Sequence, residues 1–564
     1  MKFVRKSFAL LALIIFSLLS SGVASASYEE ERMTGKISWE PEEISIEFSD
    51  PGASRTYVPS LLWVEKQMEG YGSTRVDRKI CTSAPLSNCA IDGYRFVYDA
   101  IFSPCSTPTS LNCIESVWGT SQSGEKIPGQ LVEEWESPNH FPGVPSLGLP
   151  AGGGSSTWRI PNSNGTNSDL FALVAGERGS MGYGKDDVAH AVDSFAYLQP
   201  VEILPLKYGS NTYTNFQYPD GPGTNTGFSA GDGANCFIFD KTRCAARATF
   251  STSGRFGIKI RYQNPPQEWF RSRINNPIIS VTKDSASYVV EISGEPLVVP
   301  FVTGVTKWSN LSPETQAMYP KSIERMRAEH GSSLWLGGES GKNALNFFSG
   351  WLPILNDKAT AMKSHWTLNS INLSSIDDKM RRCSDSKYFA GIVSSNATVY
   401  SDGAPILNAS SEALEYQVAA PHFDSHGEIF TGIYDLKIQS NVARCIYGFT
   451  DAPIKATISV TSESETTRTS TSAISESNGF LNFHIAGFSY SSPTIQVKLS
   501  QQSSTAMPSN TTPSAPVNTQ VSPSNQTAIN SKKAVKTILC ERGKSLKKVV
   551  GTKPVCPTGY KLKK

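Results

Sequence analysis

The chain has 564 residues, with 52 lysines and arginines against 50 aspartates and glutamates, a formal net charge of +2. The length predicts about three or four domains with cores of their own. The charge is unevenly spread: positions 532–564 carry +10, the first 26 residues carry +3, and 27–531 are left at −11. The acidic balance of this body argues against nucleic-acid binding there.

Lys2, Arg5 and Lys6 precede an apolar run from Phe8 to Leu19, and Ala24-Ser25-Ala26 supplies the small residues that a signal peptidase reads. A dozen or so apolar residues fall short of the roughly 20 that span a bilayer, so the expectation is a signal peptide over 1–26, cleaved after Ala26. No later run of that kind follows, and no transmembrane segment is expected after cleavage.

All ten cysteines lie beyond that point. In an oxidising compartment an even set reads as disulfides, and the spacing suggests Cys81/Cys89, Cys105/Cys113 and Cys236/Cys244, with Cys383/Cys445 and Cys540/Cys556 as the remaining pairs. Zinc would call for C-x2-C pairs, which the sequence lacks, and no cofactor is expected.

From 27 to 302 a β-rich domain with Cys-closed loops is predicted. ISIEFS (44–49), YRFVYDAIF (94–102), FGIKIRY (256–262) and YVVEISG (288–294) alternate or run apolar with β-branched and aromatic residues, between turn-rich stretches such as PAGGGSS (150–156). Residues 303–383 read as a partly helical segment with Trp308, Trp335, Trp351 and Trp366. Ser312 can cap a helix with Pro313 first, which the pattern carries through IERMRAEH to Gly331. Between 384 and 500, LEYQVAA, GEIFTGIYDLKI, VARCIYGF, IKATISVTS, TRTSTSAIS and TIQVKLS read as short strands of an immunoglobulin-like β-sandwich. Residues 501–531, rich in Ser, Thr, Pro and Asn and free of charge, read as a disordered linker. The basic tail, 532–564, follows with its one cysteine pair. The expected fold class is therefore mainly β and multidomain.

The segments VAAPHFDSHGEIFTGIYDLKI, VARCIYGFTDAPIKATISV and SNGFLNFHIAGFSYSSPTIQVKL, with the ending KTILCERGKSLKKVVGTKPVCPTGYKLKK, resemble the C-terminal region of uncharacterised secreted or cell-surface proteins of actinobacteria, over about 380–564. The resemblance implies a Gram-positive envelope or extracellular setting, and it supplies no catalytic residues.

Three constellations invite a chemical reading. His422, Asp424 and His426 could share one face of an extended strand and bind zinc, but Asp-Ser-His-Gly equally makes a hairpin turn that parts them, and the turn is the preferred reading. Asp186, Asp187 and His190 could form an acid/base group, against an ordinary acidic loop. Glu134 and Glu136 in VEEWES could lie on one face of a strand as a glycosidase pair, against a solvated strand edge. Tyrosines and tryptophans could stack on sugar rings, although in β-domains they more often fill cores.

These readings favour an exported, non-enzymatic surface or extracellular protein, with carbohydrate a conceivable ligand and no nucleic-acid partner. The tail lysines Lys544, Lys547, Lys548, Lys553, Lys561, Lys563 and Lys564 would hold it to an anionic polymer of the cell envelope. The alternative is a secreted hydrolase acting on polysaccharide or cell-wall polymer, its site within 27–380.

Overall fold

The computed structural model describes residues 27–31, 42–48, 60–67, 76–81, 94–137, 139–161, 168–181 and 188–205. It further describes 236–501, apart from gaps at 241, 251–253, 267–268, 285, 320–332, 338–341, 372–376, 385–387, 402, 451–453, 463–464, 471–474 and 491–493, and then 536–542, 545–551, 556 and 561–562. The chain divides into two compact units, Met1–Ser503 and Ser504–Lys564. The fold is mainly β with mixed sheets: a connected network of 22 strands, a separate six-stranded sheet, and three strands in the second unit.

The organising element is the 21-residue strand Ser287–Lys307. Its first part forms a hairpin with Ile274–Asp284 and pairs on its other side with Phe256–Tyr262. Farther along, Leu297–Phe301 pairs with the start of Ala361–Ser370, and Val302–Lys307 with Glu43–Phe48. One strand can serve four neighbours because β-branched and aromatic residues tolerate the pleat over its whole length, and Val290, Ile292, Leu297, Val299, Phe301 and Val302 are buried along it. Position 302 falls inside this strand. Position 383 is likewise bridged: Trp269–Ser272 pairs with Ala361–Ser370 on one side and, in parallel, with Gly391–Ser395 on the other.

The strands between 391 and 501 fall into two ladders around one core. Gly391–Ser395, Thr431–Gln439 and Phe480–Ser489 continue the large network, whereas Ala413–Ala419, Thr494–Gln501, Ile454–Ser462 and Glu465–Ser470 build the smaller sheet. Leu436, Ile438 and Phe483 from the first meet Leu414, Ile458, Ile495 and Val497 from the second. Burying one such side chain is worth about 1.5–3 kcal/mol, so this shared interior holds the two ladders face to face.

Two expected elements differ. The helix begins as read, with Ser312 Oγ accepting from Thr315 N–H and Pro313 first, but it ends at Ala317. Pro320 disfavours helical backbone at Tyr319, which accounts for the early stop; 320–332 lie outside the described residues. VARCIYGF, read as a strand, lies in the helix Ser440–Tyr447 up to Tyr447. Val442, Ala443 and Ile446 are buried on one side of it. Gly448 closes it at φ 70°, its N–H reaching the Arg444 and Cys445 carbonyls, a left-handed ending that glycine adopts without strain.

Disulfides close Cys105–Cys113, Cys236–Cys244 and Cys383–Cys445. The first two staple local loops, and the third ties Asp378–Ser384 to Ser440–Tyr447, joining helices whose cysteines are 62 positions apart. Cys81 and Cys556 are also disulfide-bonded. Cys89 and the side chain of Cys540, their suggested partners, lie outside the described part of the structure. No described helix is long and apolar enough to cross a membrane.

In the second unit Lys536–Arg542 pairs with Ser545–Gly551 and with Lys561–Leu562.

Candidate functional site

A cavity of about 570 Å³ opens where four loops of the first unit meet. One wall comes from the hairpin between Ile274–Asp284 and Ser287–Lys307, in which Lys283 and Tyr288 stand directly opposite each other. The Lys283 ammonium lies 5.8 Å from the Tyr288 ring centroid. Facing it is Tyr388, just ahead of the strand Gly391–Ser395; the two tyrosine rings are 4.9 Å apart at 62°, with the Tyr388 hydroxyl donating to that of Tyr288 at 3.2 Å. An edge-to-face pair of this kind leaves ring surface and hydroxyls presented to the cavity.

The opposite wall is the junction at which Thr431–Gln439 passes into the helix Ser440–Tyr447. Gln439 donates through Nε2 to the Tyr388 carbonyl, and Ser440 N–H is tied to the Gly479 carbonyl at 2.8 Å. Asn441 Oδ1 accepts from Val442 N–H at 2.8 Å, and its amide N–H₂ has no hydrogen-bond acceptor among the described residues. The last wall is the two-residue turn Asn478-Gly479 before Phe480, with φ of 52° and 78°. Both central residues at positive φ make the tight hairpin turn for which Asn-Gly is the favoured pair, and this sets Asn478 at the rim.

Arg444 completes the lining and is fully engaged, donating to both Glu476 carboxylate oxygens at 3.1 and 3.3 Å and to the Thr450 carbonyl at 3.0 Å. That guanidinium holds the Glu476 carboxyl below its usual range. None of the described residues lining the cavity is acidic.

A smaller cavity, about 320 Å³, is lined by Ser103, His140 and Phe141 with the glycines of 152–153. Beside it Glu134 Oε1 accepts from Ser103 Oγ at 2.6 Å and from Gly154 N–H at 2.9 Å. The strand that carries Glu134 ends there, so Glu136 does not share a strand face with it. Between them Trp135 is buried, with the Arg243 guanidinium 4.6 Å from its ring.

The other constellations disperse. His422 turns to Asp357, its Nδ1 3.3 Å from Oδ2 and its backbone N–H donating to Oδ1 at 2.8 Å. Asp424 is buried in its own turn, Oδ1 accepting from the N–H groups of His426 and Glu428 at 2.8 and 2.9 Å, with Gly427 at φ 87°. His426 is exposed. Among the described residues no three metal-ligating side chains gather. Asp186 and Asp187 lie outside the described residues, and His190 is exposed at the start of the strand His190–Pro205. Of the tail lysines, Lys547 and Lys548 belong to the strand Ser545–Gly551 and Lys561 is exposed, while Lys544, Lys553, Lys563 and Lys564 lie outside the described residues.

Among the buried carboxylates away from both cavities, Glu31 and Asp435 stand in contrasting surroundings. Ser27 and Glu30 form a reciprocal cap on the turn Tyr28–Glu31, Ser27 N–H donating to Glu30 Oε2 at 3.0 Å and Glu30 N–H to Ser27 Oγ at 3.3 Å. This turn sends Glu31 into the protein, where Oε1 accepts from the N–H of Ser364 at 2.6 Å and from its hydroxyl, beside Lys363 and Arg247. Burial pushes the Glu31 carboxyl up to about 7, and burial, with Arg247 near, brings Lys363 down to about 8. Asp435 is equally buried but accepts from Asn276 N–H at 3.0 Å and lies 2.8 Å from His484 Nδ1. That hydrogen bond raises the His484 pKa against the cost of its partial burial.

No protein-family model matches the chain, and no curated protein matches it either.

Proposed function

We propose that this chain is an exported, non-enzymatic protein that works outside the cytoplasm or at the cell surface and holds a ligand in the tyrosine-walled cavity. The observation that carries this reading is the convergence of Tyr288 and Tyr388 with the side-chain amides of Gln439, Asn441 and Asn478 on one open cavity. Such a set recognises a ligand by stacking and hydrogen bonds, as binding sites do. The three closed disulfides and the resemblance to actinobacterial secreted proteins support the extracellular setting. The region 384–500 is read as a sandwich of immunoglobulin-like size, supported by its two ladders around a common core. The basic tail adds retention at an anionic envelope polymer.

The reading is tested by sedimenting purified full-length protein with insoluble cell-envelope material. Wild type should co-sediment, and the Tyr288→Ala/Asn478→Gly double variant should lose at least tenfold of the salt-resistant fraction; undiminished binding overturns the role of the cavity. A chain ending at Ser531 should lose only the fraction that high salt releases.

The hydrolase reading rests on a different observation, the Ser103 hydroxyl held to Glu134 beside His140. It predicts release of reducing sugar from envelope polysaccharide that Glu134→Gln abolishes.

A further inference from the structure

We propose that the tyrosine-walled cavity takes a saccharide that carries a negative charge, a sugar carboxylate or a sugar phosphate. This rests on the cavity being the binding site and names the class of its ligand.

Stacking calls for an aromatic face at the entrance, and Tyr288 and Tyr388, packed against each other at 62°, put ring surface on that wall. Hydroxyl recognition calls for amides, which can donate and accept, and Asn441 and Asn478 stand at the rim with donors uncommitted to other protein groups among the described residues. The charge preference comes from three features that agree in sign. Lys283, exposed on its hairpin, has no carboxylate partner among the described residues. The helix Ser440–Tyr447 begins at the wall, so the positive end of its dipole faces an occupant.

The third feature is the Ser440 hydroxyl, which lines the same wall. It is 7% exposed and its Oγ makes no hydrogen bond of ordinary length, although it lies close enough to Glu476 to help lower that carboxyl. A buried hydroxyl short of a well-formed hydrogen bond costs free energy, which an acceptor arriving from the cavity side would recover. An anionic oxygen accepts from a helix-start hydroxyl and a lysine more strongly than a neutral one does. A carboxylate among the lining residues would cancel this, and the described lining has none; Glu476, beside it, is bound to Arg444.

Carboxylate and phosphate sugars share this chemistry, and isothermal titration of the full-length protein separates them. The carboxylate arm compares trigalacturonate with its neutral methyl ester, and the phosphate arm compares maltotriose 6-phosphate with maltotriose. In at least one arm the charged sugar should bind tenfold or more tighter than its neutral counterpart. Lys283→Gln should bring the preference to within about twofold, and Ser440→Ala should reduce it. Asn478→Gly, which keeps the turn's positive φ while removing the amide, should weaken charged and neutral sugars alike. Equal affinity in both arms, no binding in either, or a preference that survives Lys283→Gln would overturn the proposal. Cavity-dependent co-sedimentation with envelope material would meanwhile keep the broader binding reading intact, so the two failures are distinguishable.

Discussion

Glu31 and Asp435 are both taken out of water, yet their surroundings compensate them in opposite ways. Glu31 receives its hydrogen bonds on one oxygen from a single residue, Ser364, and its Oε2 has no hydrogen-bond partner. The nearby cations do not outweigh burial, which raises the carboxyl to about 7 and favours the neutral acid over a wider pH range than usual. Asp435 divides its bonds, one oxygen to a backbone N–H and the other to an imidazole that becomes easier to protonate. The two sites thus differ in where the donors are placed: on one oxygen from one residue at Glu31, and on both oxygens from two residues at Asp435.

The largest expected effect tests the well-compensated member. Asp435→Ala leaves the Asn276 N–H and His484 without their acceptor and should cost about 3 kcal/mol in a chemical denaturation curve. Asp435→Asn, which keeps an acceptor, should cost less; equal costs would show that hydrogen bonding does not distinguish the two sites.

The next effect is a pH slope. Because the folded value of Glu31, about 7, lies above the ordinary 4.5, its contribution to stability is complete below about pH 4.5 and is lost as pH rises through 7. Glu31→Gln keeps an acceptor for Ser364 and removes that slope, so the variant should gain on wild type by on the order of 2 kcal/mol at pH 8 while matching it near pH 4. A variant with the same slope as wild type would place the charge compensation elsewhere.

The smallest effect belongs to His484, which is partly exposed and screened by solvent. Its folded pKa is raised above the ordinary 6.5, so its contribution is present below that value and fades as pH climbs through the folded one. His484→Gln should flatten thermal stability above pH 6.5 by under about 1 kcal/mol, without touching the Glu31 slope at lower pH.

Much of the β-structure could be read in advance because alternating runs such as ISIEFS and FGIKIRY have a period that only a strand satisfies, and the pairs Cys105/Cys113 and Cys236/Cys244 because C-x7-C leaves little choice. VARCIYGF misled because its β-branched residues outweighed two signals of a helix end, the buried i, i+4 pair Val442/Ile446 and the following Gly448. The candidate site was mostly illegible. Tyr288, Tyr388, Asn441 and Asn478 come from four distant segments, and a single sequence does not say which turns will meet. The one readable sign was Ser-Asn-Gly-Phe at 477–480, a tight hairpin turn that places an amide at a strand end. Glu31 was equally hidden, since Tyr-Glu-Glu-Glu looks like a solvated start, and only the tertiary fold brings Ser364 to it.

That last contact also has a duration. Glu31 and Ser364 are separated by 333 residues, and a chain made at roughly 5–20 residues per second needs about 15–70 s to cover that distance. For all of that interval the Glu31 carboxyl stands in water as an ordinary acid, ionised at neutral pH. Its docking therefore waits until Ser364 has been made, and because burial raises the carboxyl, the final closure of the first unit should be favoured in mildly acidic buffer over alkaline.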